Sequence, residues 1–157
     1  MKREIGAPRS GRVFVQPFEK WIYSKTAAGL RGRVSLVITS PPYWSAEVYD
    51  TQSKRQSANR YPDYPAWKEG FLKPLIQGAY DLACPGGVFC LNIADVTGAT
   101  LERDTRRISR EVGFRSLEFF KLAMSRSVGT RRGKPRHAVQ VDGVVWKHEP
   151  VFCFRKP

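Results

Sequence analysis

The chain has few of the residues on which several function classes depend. Its three cysteines, Cys84, Cys90 and Cys153, are an odd and unclustered set among 157 residues. That excludes a disulfide framework and a cysteine-based zinc site, and the three read as reduced packing residues. His137 and His148 stand apart from each other and from any cysteine pair. No metal set is predicted, and His148 is expected at a surface or strand edge rather than as a ligand. No apolar run approaches the roughly 20 residues of a membrane span. Met1-Lys2-Arg3-Glu4 leads to no apolar signal core, so a cytoplasmic protein with no membrane partner is expected. Acids are also scarce: 14 Asp+Glu face 27 Lys+Arg, a formal net charge of +13. Such an excess predicts attraction to a polyanion, nucleic acid first, without separating an enzyme from a passive binder.

What the chain does have is a core. Hydrophobic residues make up 41% and aromatics 12%, too apolar for a disordered tail, and the length suits a single domain over 1–157. Charge is unevenly spread. Residues 119–141 hold Lys121, Arg126, Arg131, Arg132, Lys134 and Arg136 without one acid. With Gly129, Gly133 and Pro135 among them, residues 125–143 are expected to form a basic loop. It could follow a phosphate backbone without packing, or could be a solvated surface loop.

Elements alternate along the chain. Arg12–Val15 reads as a short strand and 19–30 as a short amphipathic helix. Val34–Thr39 is a β-branched run of the kind buried on both faces of a parallel sheet. Residues 44–64 are polar and turn-rich, and read as a long loop. Apolar positions Trp67, Phe71, Leu75, Ala79 and Leu82 predict a helix over 66–83, kinked or divided at Pro74. Val88–Ile93 is the next buried strand. A helix over 101–112 is expected to stop at Gly113. Strands over 115–122 and 143–154 then flank the basic loop. The sum is an α/β layered domain closed by a C-terminal antiparallel hairpin.

One stretch carries chemistry: Thr39-Ser40-Pro41-Pro42-Tyr43-Trp44, directly after a buried strand. Ligands in open α/β sheets sit at the carboxyl ends of strands. Two prolines stiffen the backbone and remove two N–H donors, leaving carbonyls to face a cleft. A Ser oxygen and a Pro carbonyl make two acceptors for the hydrogens of an exocyclic amino group, and an aromatic ring follows to stack on its base. The bland alternative is a stiff Pro-Pro turn with an incidental Tyr. Asn92 and Asp95, at the end of the following strand, could line the same cleft or merely form a polar strand end. Cys84 precedes Pro85 at a helix end, the wrong order for a cysteine nucleophile, and reads as a packing residue.

Ser-Pro-Pro-Tyr after such a strand resembles the catalytic motif of DNA methyltransferases acting on amino groups, cytosine N4 or adenine N6. Members of a phage and restriction-modification type also show Glu-x-Tyr (Glu47-Val48-Tyr49), Gln-Ser (Gln52-Ser53 or Gln56-Ser57) and Asn-Arg-Tyr-Pro (Asn59 to Pro62). The similarity continues through Trp67, Phe71-Leu72-Lys73-Pro74, Asn92 to Asp95 and the terminal Glu149 to Lys156. The resemblance implies a partial class I, Rossmann-like methyltransferase sheet with helices on its faces. It implies S-adenosylmethionine as cofactor and DNA as partner. Ser40, Pro41, Pro42 and Tyr43 would be catalytic, the Ser40 oxygen and Pro41 carbonyl holding the amino group. Ser at the first position tilts the choice to cytosine N4. Trp44, Arg126, Arg131, Arg132, Lys134 and Arg136 would contact nucleic acid.

The family's glycine-rich cofactor turn has no counterpart within residues 1–39, where Gly29-Leu30-Arg31-Gly32 lacks a preceding strand. Val13–Val15 could match a third strand, making Gln16, Pro17 and Phe18 the candidate cofactor contacts. The resemblance therefore implies a target-facing half, completed by a second subunit or by self-association. A sheet without its first strands would expose a hydrophobic edge. The alternative is a non-catalytic nucleic-acid-binding protein derived from such an enzyme, and RNA is a third option.

Overall fold

The computed structural model describes residues 11, 13–44, 57–126, 138–141 and 144–157. Five strands form one sheet with helices against one face. The chain begins with α1 (Phe18–Trp21) and α2 (Lys25–Ala28), then β1 (Val34–Thr39). After α3 (Ser57–Arg60) and α4 (Tyr64–Trp67), a π-helical turn over Lys68–Leu72 leads into α5 (Lys73–Leu82). β2 (Ala83–Asn92), α6 (Leu101–Val112), β3 (Arg115–Arg126), β4 (Ala138–Val141) and β5 (Val144–Arg155) complete it. The sheet order is β1-β2-β5-β3, with β4 also paired to β5. β1 and β2 are parallel, and the pairings of β5 with β2, β3 and β4 are antiparallel. No helix among the described residues is long and apolar enough to cross a membrane.

The core lies on one face of the sheet. Phe89 and Leu91 of β2 and Phe152 and Phe154 of β5 pack with Leu75, Ile76 and Ala79 of α5 and Leu101 and Ile108 of α6. The other face carries Leu36 and Ile38, which are 55% and 70% exposed. The expectation of a strand buried on both faces is thus corrected: β1 is an edge strand with one face open. An apolar β-branched run has the same composition whether or not something covers it. The expected strand over 12–15 is corrected as well. Val13–Val15 form no strand, and Val13 and Val15 are 91% and 98% exposed, with no described strand alongside them to complete a ladder.

Local signals explain the helices better. The expected helix over 19–30 is two short ones, because Ser24 takes an extended conformation and caps α2 by accepting the Ala27 N–H. The expected loop over 44–64 contains α3 and the start of α4, which Asp63 caps through the Ala66 N–H. The long helix is divided near Pro74. Proline has no N–H for the Gly70 carbonyl four residues back. The Tyr61 hydroxyl takes that carbonyl at 2.6 Å, and the π-turn absorbs the mismatch upstream. α6 has the expected bounds, with Gly113 at φ +115° as its left-handed stop.

The C-terminal strands extend beyond expectation. β3 runs to Arg126, and Ala138–Val141 form β4, so the basic segment is strand at both described ends. Its loop boundaries at 125 and 143 are corrected accordingly, since β5 is long enough to pair with both strands. Central placement in β5 also buries His148, which corrects its expected surface position. Cys90 and Cys153 are direct cross-strand partners, their Sγ atoms 2.8 Å apart as free thiols.

Candidate active site

Parallel pairing brings the carboxyl ends of β1 and β2 to one edge of the sheet, with Thr39 opposite Leu91. The next residue of each strand, Ser40 and Asn92, therefore meet across it. The Ser40 hydroxyl donates to Asn92 Oδ1 at 3.1 Å. Asn92 Nδ2 donates to the Pro150 carbonyl at 3.1 Å, which sets the end of the amide that faces Ser40. Pro41-Pro42 then turns the chain inward, so that Tyr43 is only 7% exposed and joins the core cluster. Its hydroxyl lies 3.1 Å from Asn92 Oδ1 and 2.9 Å from Glu149 Oε2, acceptors supplied by two different strands. Antiparallel register explains Glu149: Val151 pairs with Asn92, which puts residue 149 just beyond the end of β2.

Aromatic packing supports the turn from below. Trp44, at φ +29°, is half-buried with ring centroids 6.3 Å from Tyr64 and 6.1 Å from Trp67. The Tyr64 hydroxyl donates to buried Asp104 at 2.7 Å, and Lys68 and Arg107 approach the same carboxylate at 3.6 and 3.7 Å. Burial, and then the bond to Asp104, hold the Tyr64 phenol well above its ordinary pKa. Asp95, the other candidate for the cleft, exchanges bonds with Glu102: its carboxylate accepts the Glu102 N–H at 2.9 Å, and its own N–H donates to Glu102 Oε1 at 3.2 Å. That reciprocal pair ties the loop after β2 to the first turn of α6.

The structure brings together Ser40, Pro41, Pro42, Tyr43 and Asn92. Gln16 and Pro17 are exposed and outside this group. Phe18 borders a cavity of about 150 Å³ beside β1, together with Val37, Ile38, Thr39, Leu75 and Phe89. Arg131, Arg132, Lys134 and Arg136 lie outside the described residues, as do Glu47-Val48-Tyr49, Gln52-Ser53 and Gln56; only the backbone of Arg126 is described. Asn59 and Arg60 close α3, and Arg60 pairs with Glu19 of α1 at 2.6 Å, an anchoring role. Sequence reasoning missed Glu149 as a site residue. Its signal was an acid in a largely apolar strand.

A second basic surface also went unseen. Arg103, Arg106, Arg107 and Arg110 border an open groove of about 460 Å³ along α6, with the Arg106 guanidinium 4.7 Å from the Phe152 ring centroid. No group of three or more His, Cys, Asp or Glu suited to a metal ion occurs among the described residues.

The fold is that of a DNA methyltransferase in part. The similar solved structures are those of TTHA0409 from Thermus thermophilus, a protein assigned as a DNA modification methylase. Its selenomethionine derivative matches with a TM-score of 0.57 and 22% identity, over 90% of this chain and 50% of that one. Its complex with S-adenosyl-L-methionine matches with a TM-score of 0.56 and 22% identity, over 89% and 53%. This chain thus spans about half the length of the proteins it matches. No protein-family signature matches the chain, and no curated protein matches it.

Proposed function

We propose that this chain is the target-facing part of an S-adenosylmethionine-dependent DNA methyltransferase acting on an exocyclic amino group, cytosine N4 in preference to adenine N6. The observation that carries the reading is the set of oxygens on Ser40, Asn92, Tyr43 and Glu149, gathered where two parallel strands end. Ser40 Oγ and the Pro41 carbonyl accept the two amino hydrogens and keep the nitrogen lone pair out of conjugation with the ring. The gain is orientation and electrostatics around that nitrogen. Tyr43 stacks on the base, and because it is buried, base insertion has to uncover it. Trp44, Arg126, Arg131, Arg132, Lys134 and Arg136 serve the nucleic acid. The likeness of fold and the +13 charge support DNA as the partner.

The cofactor supplies an electrophilic methyl group when bound. Phe18 and Thr39 border a cavity of about 150 Å³, below the roughly 300–1,000 Å³ usual for small-molecule sites. The residues present therefore fit one edge of such a cofactor, with Gln16 and Pro17 close by in sequence. A Rossmann-like sheet of this kind is completed at β1. Its unpaired edge, together with exposed Leu36 and Ile38, supports a second subunit or a second copy carrying the remainder of the cofactor site.

Labelled methyl transfer to cytosine-containing duplex DNA, with and without the candidate partner, tests the reading. Ser40→Ala is expected to lower the rate about 100-fold while DNA retention is unchanged. Failure of the chain to bind S-adenosylmethionine in calorimetry, persisting with the partner present, sinks it.

A further inference from the structure

We infer that Asn92 and Glu149 are positioning residues that make Ser40 an acceptor toward the cleft, and so select a base bearing an amino group over one bearing a carbonyl. The inference rests on the amino-group reading above and deepens it.

Proton counting carries the argument. A serine hydroxyl has one proton and can present either that proton or its lone pairs to a ligand. Here the choice is made behind it. Asn92 Nδ2 is committed to the Pro150 carbonyl, so the amide shows Ser40 only its oxygen, at 3.1 Å. Ser40 must donate inward, and what remains facing outward is lone pairs.

Tyr43 could undo this, because its hydroxyl also lies 3.1 Å from Asn92 Oδ1 and competes for the same carbonyl. Glu149 Oε2, closer at 2.9 Å, draws the phenol proton toward itself. A charged acceptor outbids a neutral one for a single proton. Asn92 Oδ1 then keeps its strength for Ser40. Cytosine N4 and adenine N6 are donors, whereas thymine O4 and guanine O6 are acceptors. An acceptor-only Ser40 accommodates the first pair and repels the second.

The test needs no cofactor. The full chain is titrated with two single-stranded oligonucleotides identical except for one central base, cytosine in one and uracil in the other, which replaces the amino group by a carbonyl. The unaltered chain is expected to prefer cytosine about three- to tenfold, the worth of one hydrogen bond. Asn92→Leu is expected to abolish the preference and Glu149→Gln to reduce it. Asn92→Asp, which keeps the acceptor oxygen, is expected to retain it and guards against misfolding as the explanation.

In parallel, the ultraviolet resonance Raman doublet of Tyr43, isolated by difference against Tyr43→Phe, is expected to lose donor character in Glu149→Gln. An unchanged doublet in Glu149→Gln overturns the inference. So does a preference that survives Asn92→Leu but disappears in Ser40→Ala. If Ser40→Ala also keeps the preference, the amino-group reading itself falls.

Discussion

Tyr43 and Glu149 are 106 residues apart in the chain and 2.9 Å apart at the site. One belongs to the turn after an edge strand, the other to a strand paired on both sides. Tyr43→Phe removes the only proton in that contact and leaves a part-buried carboxylate without it. The expected loss is about 1–3 kcal/mol, typical of a hydrogen bond to a charged group. Urea unfolding at neutral pH measures it, and a midpoint unchanged from the parent contradicts the bond.

Gly70 has no room for a side chain. A Cβ there would run into the Tyr61 ring, whose hydroxyl holds the Gly70 carbonyl. Gly70→Ala is therefore expected to destabilise by more than about 2 kcal/mol, although alanine is the better helix former. Tyr61→Leu in the same chain is expected to recover part of the loss. Additive losses in the double variant, read from thermal melts, would show that the two residues are not in contact.

Leu36 and Ile38 make the opposite case. Both are already exposed in the isolated chain, so Leu36→Lys and Ile38→Lys are expected to leave stability within about 0.5 kcal/mol. They are expected to weaken any association at the β1 edge. Sedimentation velocity of the chain, alone and with a candidate partner, reads the effect. Association that is indifferent to both lysines places the contact elsewhere.

Alkaline pH probes two buried acids together. The Cys153 thiol is pushed from an ordinary 9.0 to about 12 by burial first, then by its contact with Cys90. Tyr64 is raised in the same direction. The folded chain holds protons that the unfolded chain releases, so this stabilisation is complete below about pH 9 and is lost as pH rises toward 12. Urea midpoints are expected to fall across that range. Alkylation by iodoacetamide is expected to reach half-buried Cys84 well before Cys153.

Where an element depends on its own residues, the sequence was a sufficient guide. The α6 stripe with its glycine stop, the interruption near Pro74 and the rigid turn after β1 all follow from short-range sterics and hydrogen bonding. β1 itself was legible as a strand, but its exposure was not. Leu36 and Ile38 have the same side chains whether covered or bare, and only the positions of other strands decide which holds.

The site divides along the same line. Ser40, Pro41, Pro42 and Tyr43 are contiguous, so their chemistry could be read directly. Glu149 could not be, because nothing in its neighbourhood along the chain states that Val151 pairs with Asn92. That register is set by burial of Phe152 and Phe154 against the helices, since a slip of one residue would turn both rings out of the core. The amino acids alone determined which groups could do chemistry. The packing of β5 decided which of them meet, because hydrophobic burial selects a register and the register carries the polar residues with it.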